Sequence, residues 1–160
     1  MPAPILIGFD GSPSARQAIE RAAHVLGPRP ATVVFVWDPV APGPAGDPFG
    51  LVSPMYDPSQ IEGVNQTIRT NADAIAAQGA ALAREAGLDA QPKTAEMRGS
   101  IWSTILETAE ETGAELVVVG ARGHSKVRSL LLGSVSNGVV HHAALPVLVL
   151  PARGADKNDD

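Results

Sequence analysis

The chain has 160 residues, a net charge of −5 and no cysteine, which fits one domain with a sizeable core and excludes disulfide scaffolds and cysteine-ligated metal sites. An acidic balance speaks against a general nucleic-acid binder, which needs cations against phosphate. No apolar run approaches the roughly 20 residues of a membrane-spanning helix, and the opening MPAPILIGFD has no basic leader, so it reads as a first strand, not a signal peptide, in a protein expected to be cytoplasmic.

Residues 4–9 (PILIGF) form a short β-rich run ending at Asp10-Gly11-Ser12, a turn and helix-cap signal. Ala15, Ala18, Ile19, Ala22, Ala23 and Leu26 then recur at helical spacing, and Gly27 stops that helix. Residues 31–37 (ATVVFVW) read as a second buried strand. Residues 38–58 are rich in Pro and Gly and have no clear period. So long a loop suggests a lid, a partner surface or a mobile segment. Ile61, Val64, Ile68, Ala72, Ile75, Leu82 and Ala86 mark a long amphipathic helix ending at Gly87.

A third strand is expected within 88–97. Ser100 can cap a helix carrying Ile101, Ile105, Leu106 and Ala109 up to Gly113. Residues 116–119 form a fourth strand, Val135, Val139 and Val140 lie on a fourth helix, and residues 146–150 (PVLVL) form the last strand. Five apolar strands alternating with four helical patterns imply an open, doubly wound, five-stranded parallel α/β sheet with helices on both faces. The expected layout is one domain over residues 1–152 and a polar tail over 153–160. Ligands of such sheets sit beyond the carboxyl ends of the strands where strand order reverses. Asp10 and Gly120 would share that crevice if the first and fourth strands are neighbours.

The stretch 116–136, LVVVGARGHSKVRSLLLGSVS, concentrates the chemistry. A buried strand ends at Gly120, Gly123 follows, and Gly133-Ser134 stands at the start of a helix. Glycines admit close main-chain approach, and helix N-termini present outward N–H groups and a favourable dipole to anions. Ser134 is a natural N-cap whose hydroxyl could instead bond an anion, and Ser136 offers another hydroxyl one turn in. Arg122, Lys126 and Arg128 could neutralise phosphate charge or simply be solvated, with Arg122 the first choice. No Gly-Lys pair exists in the chain, so this is not the usual P-loop, and no Gly-x-Gly-x-x-Gly follows a strand. His124 reads as a solvent-facing loop residue. Adjacent His141 and His142 do not share a helix face and suit the negative end of a helix dipole better than a metal. Glu110 and Glu111 read as a solvated face.

These residues resemble the universal stress protein family, in its ATP-binding subgroup. Gly120-x2-Gly123-x9-Gly133-Ser134 is similar to that family's ATP signature, and ILIGFDGSPSARQAIERAA and GSVSNGVVHHAALPVLVLP are similar to its opening and closing elements. The resemblance implies a Rossmann-like fold of the adenine nucleotide α-hydrolase-like kind, a homodimer and a regulatory role in stress response. It implies ATP or a related adenine nucleotide as the ligand; a triphosphate would bring Mg²⁺ with it, though no dedicated protein ligand for the metal is visible. It assigns Asp10 to the nucleoside, the main chain of Val36 to the adenine edge, and Val119 and Gly120 to the strand end beside ribose and phosphates. It assigns Gly123, Gly133, Ser134 and Val135 to the phosphate cradle. From the residues alone, Asp10 could only shape its turn, and Val36 could be plain core. Trp37 could pack on the ligand or cover the core. The strand Val147–Leu150 could pair with its copy across a two-fold axis.

The leading expectation is an ATP-binding regulatory protein. The alternatives are a slow ATPase, for which no Walker-type carboxylate is visible, and an interaction dimer without nucleotide. A flavoprotein subunit shares the fold class but has no specific feature here.

Overall fold

The computed structural model describes residues 1–40, 58–123 and 132–151. The chain alternates β1 (Ile5–Gly8), α1 (Pro13–Leu26), β2 (Pro30–Trp37), α2 (Pro58–Glu85), β3 (Asp89–Glu96), α3 (Ile101–Thr112), β4 (Leu116–Gly120), α4 (Ser134–His142) and β5 (Val147–Leu150). All five strands are parallel in the order β3-β2-β1-β4-β5. β1 and β4 are neighbours, as the crevice requires, and the order reverses between them.

Strand periodicity divides the core. Ile5 and Ile7 of β1 pack with Ala18, Ile19 and Ala22 of α1 and Ala80 and Ala83 of α2, while Leu6 packs on the opposite face with Ile105 and Ala109 of α3 and Val139 of α4. Successive strand side chains point to opposite faces, so a run such as Ile5-Leu6-Ile7 must be apolar throughout when helices cover both sides.

Local chemistry sets the helix ends. Ser12 caps α1, its Oγ accepting from the Ala15 N–H at 3.1 Å, and Pro13 follows in the first turn, where a missing N–H is harmless. Gly11 precedes it at φ 78°, a left-handed conformation that suits glycine. Ser100 and Ser103 close a capping box on α3.

Two sequence readings need correction. α2 begins at Pro58, three residues before its first periodic apolar side chain, because a first turn needs no buried face. Ser134 does not cap α4: Gly133 is the cap residue and Ser134 is already the first helical position. Glu110 and Glu111 are exposed, as a solvated face requires; Glu111 lies 3.7 Å from Lys93 Nζ and 3.6 Å from Arg98 Nη1, and at such exposure these pairs contribute little stability. Most of the 38–58 loop, with Lys126, Arg128, His124 and the 153–160 tail, lies outside the described residues.

Candidate functional site

The site follows from where strand pairing stops. β1 pairs with β2 as far as Gly8 and Val34, and with β4 as far as Ile7 and Val118. Parallel ladders turn the main chain of alternate residues to opposite neighbours. The Phe9 N–H donates to Val34 O at 2.9 Å and the Met97 N–H to Trp37 O at 2.8 Å, so even-numbered residues of β2 face β1 and odd-numbered ones face β3. Val36 therefore turns its N–H and C=O toward β1 where β1 has already ended. On the other side, Val117 N–H donates to Pro146 O at 3.0 Å and Ala121 N–H to Leu150 O at 2.9 Å. By the same alternation Gly120 turns its main chain to the β1 side. The two strands that flank β1 thus leave a crevice beyond its tip.

A cavity of about 550 Å³ occupies this crevice. All ten residues singled out from the sequence line it: Asp10, Val36, Val119, Gly120, Arg122, Gly123, Gly133, Ser134, Val135 and Ser136. Sequence reasoning missed the rest of the wall, notably Phe9, Val34, Ile75, Ile101 and Ile105. Ile75 and Ile105 sit in apolar helical periods that look like any core face. Ile101, 42% exposed, carried the only available signal, a large aliphatic side chain directly after a helix cap. Trp37, which could pack on a ligand or cover the core, is not on the wall; its place in the ladder faces β3, opposite Glu96.

One end of the cavity is built on α4. Gly133 holds the extended cap conformation (φ −65°, ψ 166°) without a side-chain capping bond. Its N–H donates to Ala121 O at 2.8 Å. Ser136 is 2% exposed, and its Oγ donates inward, 2.8 Å from Ala121 O and 3.0 Å from Gly133 O. A hydroxyl has one proton to give, so Ser136 holds the loop base to the helix instead of offering that proton to an anion, contrary to expectation. Ser134 stands at the open end of the first turn and on the cavity wall.

Asp10 does more than one thing. Its Oδ1 accepts from the Ser12 N–H at 2.9 Å, shaping the turn into α1, while the residue also lines the cavity. At the far end of α4, Nδ1 of His141 and of His142 lies 2.9 Å from the carbonyl four residues earlier. The His142 ring stacks on Trp102 with centroids 4.1 Å apart, a structural placement. Among the described residues no group of three or more His, Cys, Asp or Glu could hold a metal, and no helix is long and apolar enough to cross a membrane.

With this geometry in view, the comparisons with known proteins are direct. The chain is 35% identical over 153 residues to a universal stress protein of Mycobacterium bovis, covering 92% of this chain and 47% of that protein. It spans about half the length of the curated mycobacterial relatives it matches. It is 34% identical over 149 residues to a universal stress protein of Thermus aquaticus, covering 91% and 96% of the two. Among solved structures, hypothetical protein MJ0577 superposes with a TM-score of 0.71 at 20% identity, over 96% of this chain and 99% of that one. A universal stress protein in complex with cAMP gives 0.60 at 24% identity, over 92% and 96%. One from Archaeoglobus fulgidus in complex with dAMP gives 0.56 at 19%, over 92% and 96%. One from Arabidopsis thaliana with AMP bound gives 0.61 at 14%, over 99% and 97%. At these identities the structures establish the fold alone. The universal stress protein family model matches residues 1–151, and the chain belongs to the universal stress protein family.

Proposed function

We propose that this protein binds an adenine nucleotide, ATP being the expected physiological form, and that occupancy regulates its contacts in a stress response. The observation that carries the reading is the cavity at the β1/β4 reversal, with the uncapped first turn of α4 at one end and the outward main chain of Val36 at the other. Solved relatives in complex with cAMP, dAMP and AMP support it.

The chemistry of the wall fits such a ligand. Val36 offers an N–H donor beside a C=O acceptor. The Watson–Crick edge of adenine presents a ring-nitrogen acceptor beside an amino donor, the complementary order; guanine presents the reverse. The flanking apolar side chains Val34, Ile75 and Ile105 would bury the base, burial worth about 25 cal/mol per Å² of apolar surface. The N–H groups opening α4, the Ser134 hydroxyl and Arg122 would hold phosphates, where the helix dipole favours negative charge. Gly120 and Gly133 leave room for close main-chain approach. Mg²⁺ would arrive with a triphosphate, bound by its oxygens.

Phosphate hydrolysis needs a positioned base or water. Asp10 is the only carboxylate among the described wall residues, and its Oδ1 is engaged by Ser12, so the wall favours holding a nucleotide over turning one over. β5, at the sheet edge, is the proposed seam of a homodimer, because an unpaired apolar edge invites pairing with its copy.

Native mass spectrometry of freshly purified protein, followed by calorimetric titration with ATP, AMP and GTP, tests the reading. The expected result is a two-chain species, saturable adenine-nucleotide binding below millimolar concentration and weaker binding of GTP. A flat isotherm at millimolar ATP and AMP would remove the nucleotide from the account.

A further inference from the structure

Three glycines of the loop motif lie on the described wall, and they are not equivalent. A Cβ built on Gly120 would come no nearer than 3.4 Å to Arg122 O, and one on Gly133 no nearer than 3.4 Å to Ala121 O. Such contacts are tight but tolerable with small shifts. A Cβ on Gly123 would lie 2.6 Å from Asp10 Oδ2 and 3.8 Å from its Cγ. That is well inside van der Waals contact. Gly123 is not among the positive-φ glycines, so its backbone conformation alone does not demand glycine. What demands it in this structure is a carboxylate 113 positions earlier in the chain.

Asp10 cannot readily yield. Its Oδ1 is tied to the Ser12 N–H at 2.9 Å, and Ser12 is 1% exposed and caps α1 through its own Oγ. Swinging Oδ2 away by rotation of the carboxylate would break the bond to Ser12 and leave a nearly buried N–H without its acceptor, an unfavourable exchange.

We infer that Asp10 is a positioning residue for Gly123: its carboxylate occupies the space a side chain at 123 would need, and thereby sets how closely the main chain at 121–123 approaches the tip of β1. On this account the pair Asp10–Gly123 acts as a spacer between the first and fourth strand ends, and the glycine at 123 serves the aspartate before it serves any phosphate. The inference deepens the nucleotide reading, on which only its second readout depends.

A set of six proteins tests it: wild type, Gly123→Ala, Asp10→Ala, Asp10→Asn and the two corresponding doubles. Thermal unfolding is measured without nucleotide, and affinity by titration with AMP. In the wild-type background Gly123→Ala is expected to lower Tm by about 3 °C and to weaken AMP by about fivefold or more. With Asp10→Asn, which keeps the carboxylate's shape, both effects persist. With Asp10→Ala, which empties the contested space, both shrink to within error of that single variant. Equal effects of Gly123→Ala in the wild-type and Asp10→Ala backgrounds would overturn the inference, as would no Tm effect in wild type. If no variant binds AMP, wild type included, the nucleotide reading fails while the thermal data still decide this one.

Discussion

Helices α3 and α4 open on almost the same letters and finish their first turns in opposite ways. α3 is entered through Gly99-Ser100-Ile101-Trp102-Ser103 and α4 through Gly133-Ser134-Val135-Ser136. In α3 the two serines are three residues apart, the spacing of a capping box. The Ser103 N–H donates to Ser100 Oγ at 3.2 Å and the Ser100 N–H to Ser103 Oγ at 3.1 Å. The box thus satisfies the N–H groups of Ser100 and Ser103 from within the helix. In α4 the serines are two apart, and the cap position falls on Gly133, which has no side chain to give. Ser136 occupies the place that Ser103 holds in α3, and the two hydroxyls behave alike: Ser103 Oγ lies 2.9 Å from Arg98 O and 3.0 Å from Ser100 O, as Ser136 Oγ lies 2.8 Å from Ala121 O and 3.0 Å from Gly133 O, so what α4 lacks is the cap side chain. One residue of spacing thus separates a helix end that has a side-chain cap from one that has none.

The sharpest way to break this difference is to give α4 a capping side chain. Gly133→Asp supplies an acceptor for the first turn and a negative charge where phosphate is expected. AMP affinity should fall by about 100-fold, equivalent to about 2.7 kcal/mol, while unfolding free energy in urea stays the same or rises by a few tenths of a kcal/mol. Retained affinity would mean that the open turn is not the anion end. The complementary change opens α3. Ser100→Ala should cost about 1 kcal/mol of stability, read from urea unfolding, and leave AMP affinity unchanged. A stability loss accompanied by lost affinity would tie the two helix ends together. The smallest effect is expected at Ser134→Ala. With no capping role to lose, stability should move by less than about 0.5 kcal/mol, while AMP should weaken by about threefold through one lost hydrogen bond.

The same pair of helices shows why part of the site was legible in advance. The glycine positions after β4 and the helical period of α4 are local properties, readable from 116–136 without knowing what lies nearby. The cap of α4 was misplaced by one residue because Ser134 has the stronger intrinsic preference. That preference was overridden when Ala121 O took the Gly133 N–H at 2.8 Å and Ser136 at 2.8 Å, contacts made across the base of the loop. Ser136 was likewise expected to face a ligand, and its inward bond depends on the same carbonyl. The apolar wall from Ile75, Ile101 and Ile105 could not be separated from the core by period alone, since both surfaces are made of the same side chains on the same helical faces.

From the sequence alone came the alternation of buried strands with amphipathic helices, the aspartate at the tip of β1 and the glycine-punctuated loop after β4. These follow from short-range rules: side-chain periodicity, turn chemistry and the freedom of glycine. Only the tertiary structure decided that β1 lies between β2 and β4, that β1 stops short of both, and that Gly123 meets Asp10. Those facts depend on which distant segments bury each other's apolar faces, and no local preference encodes that choice.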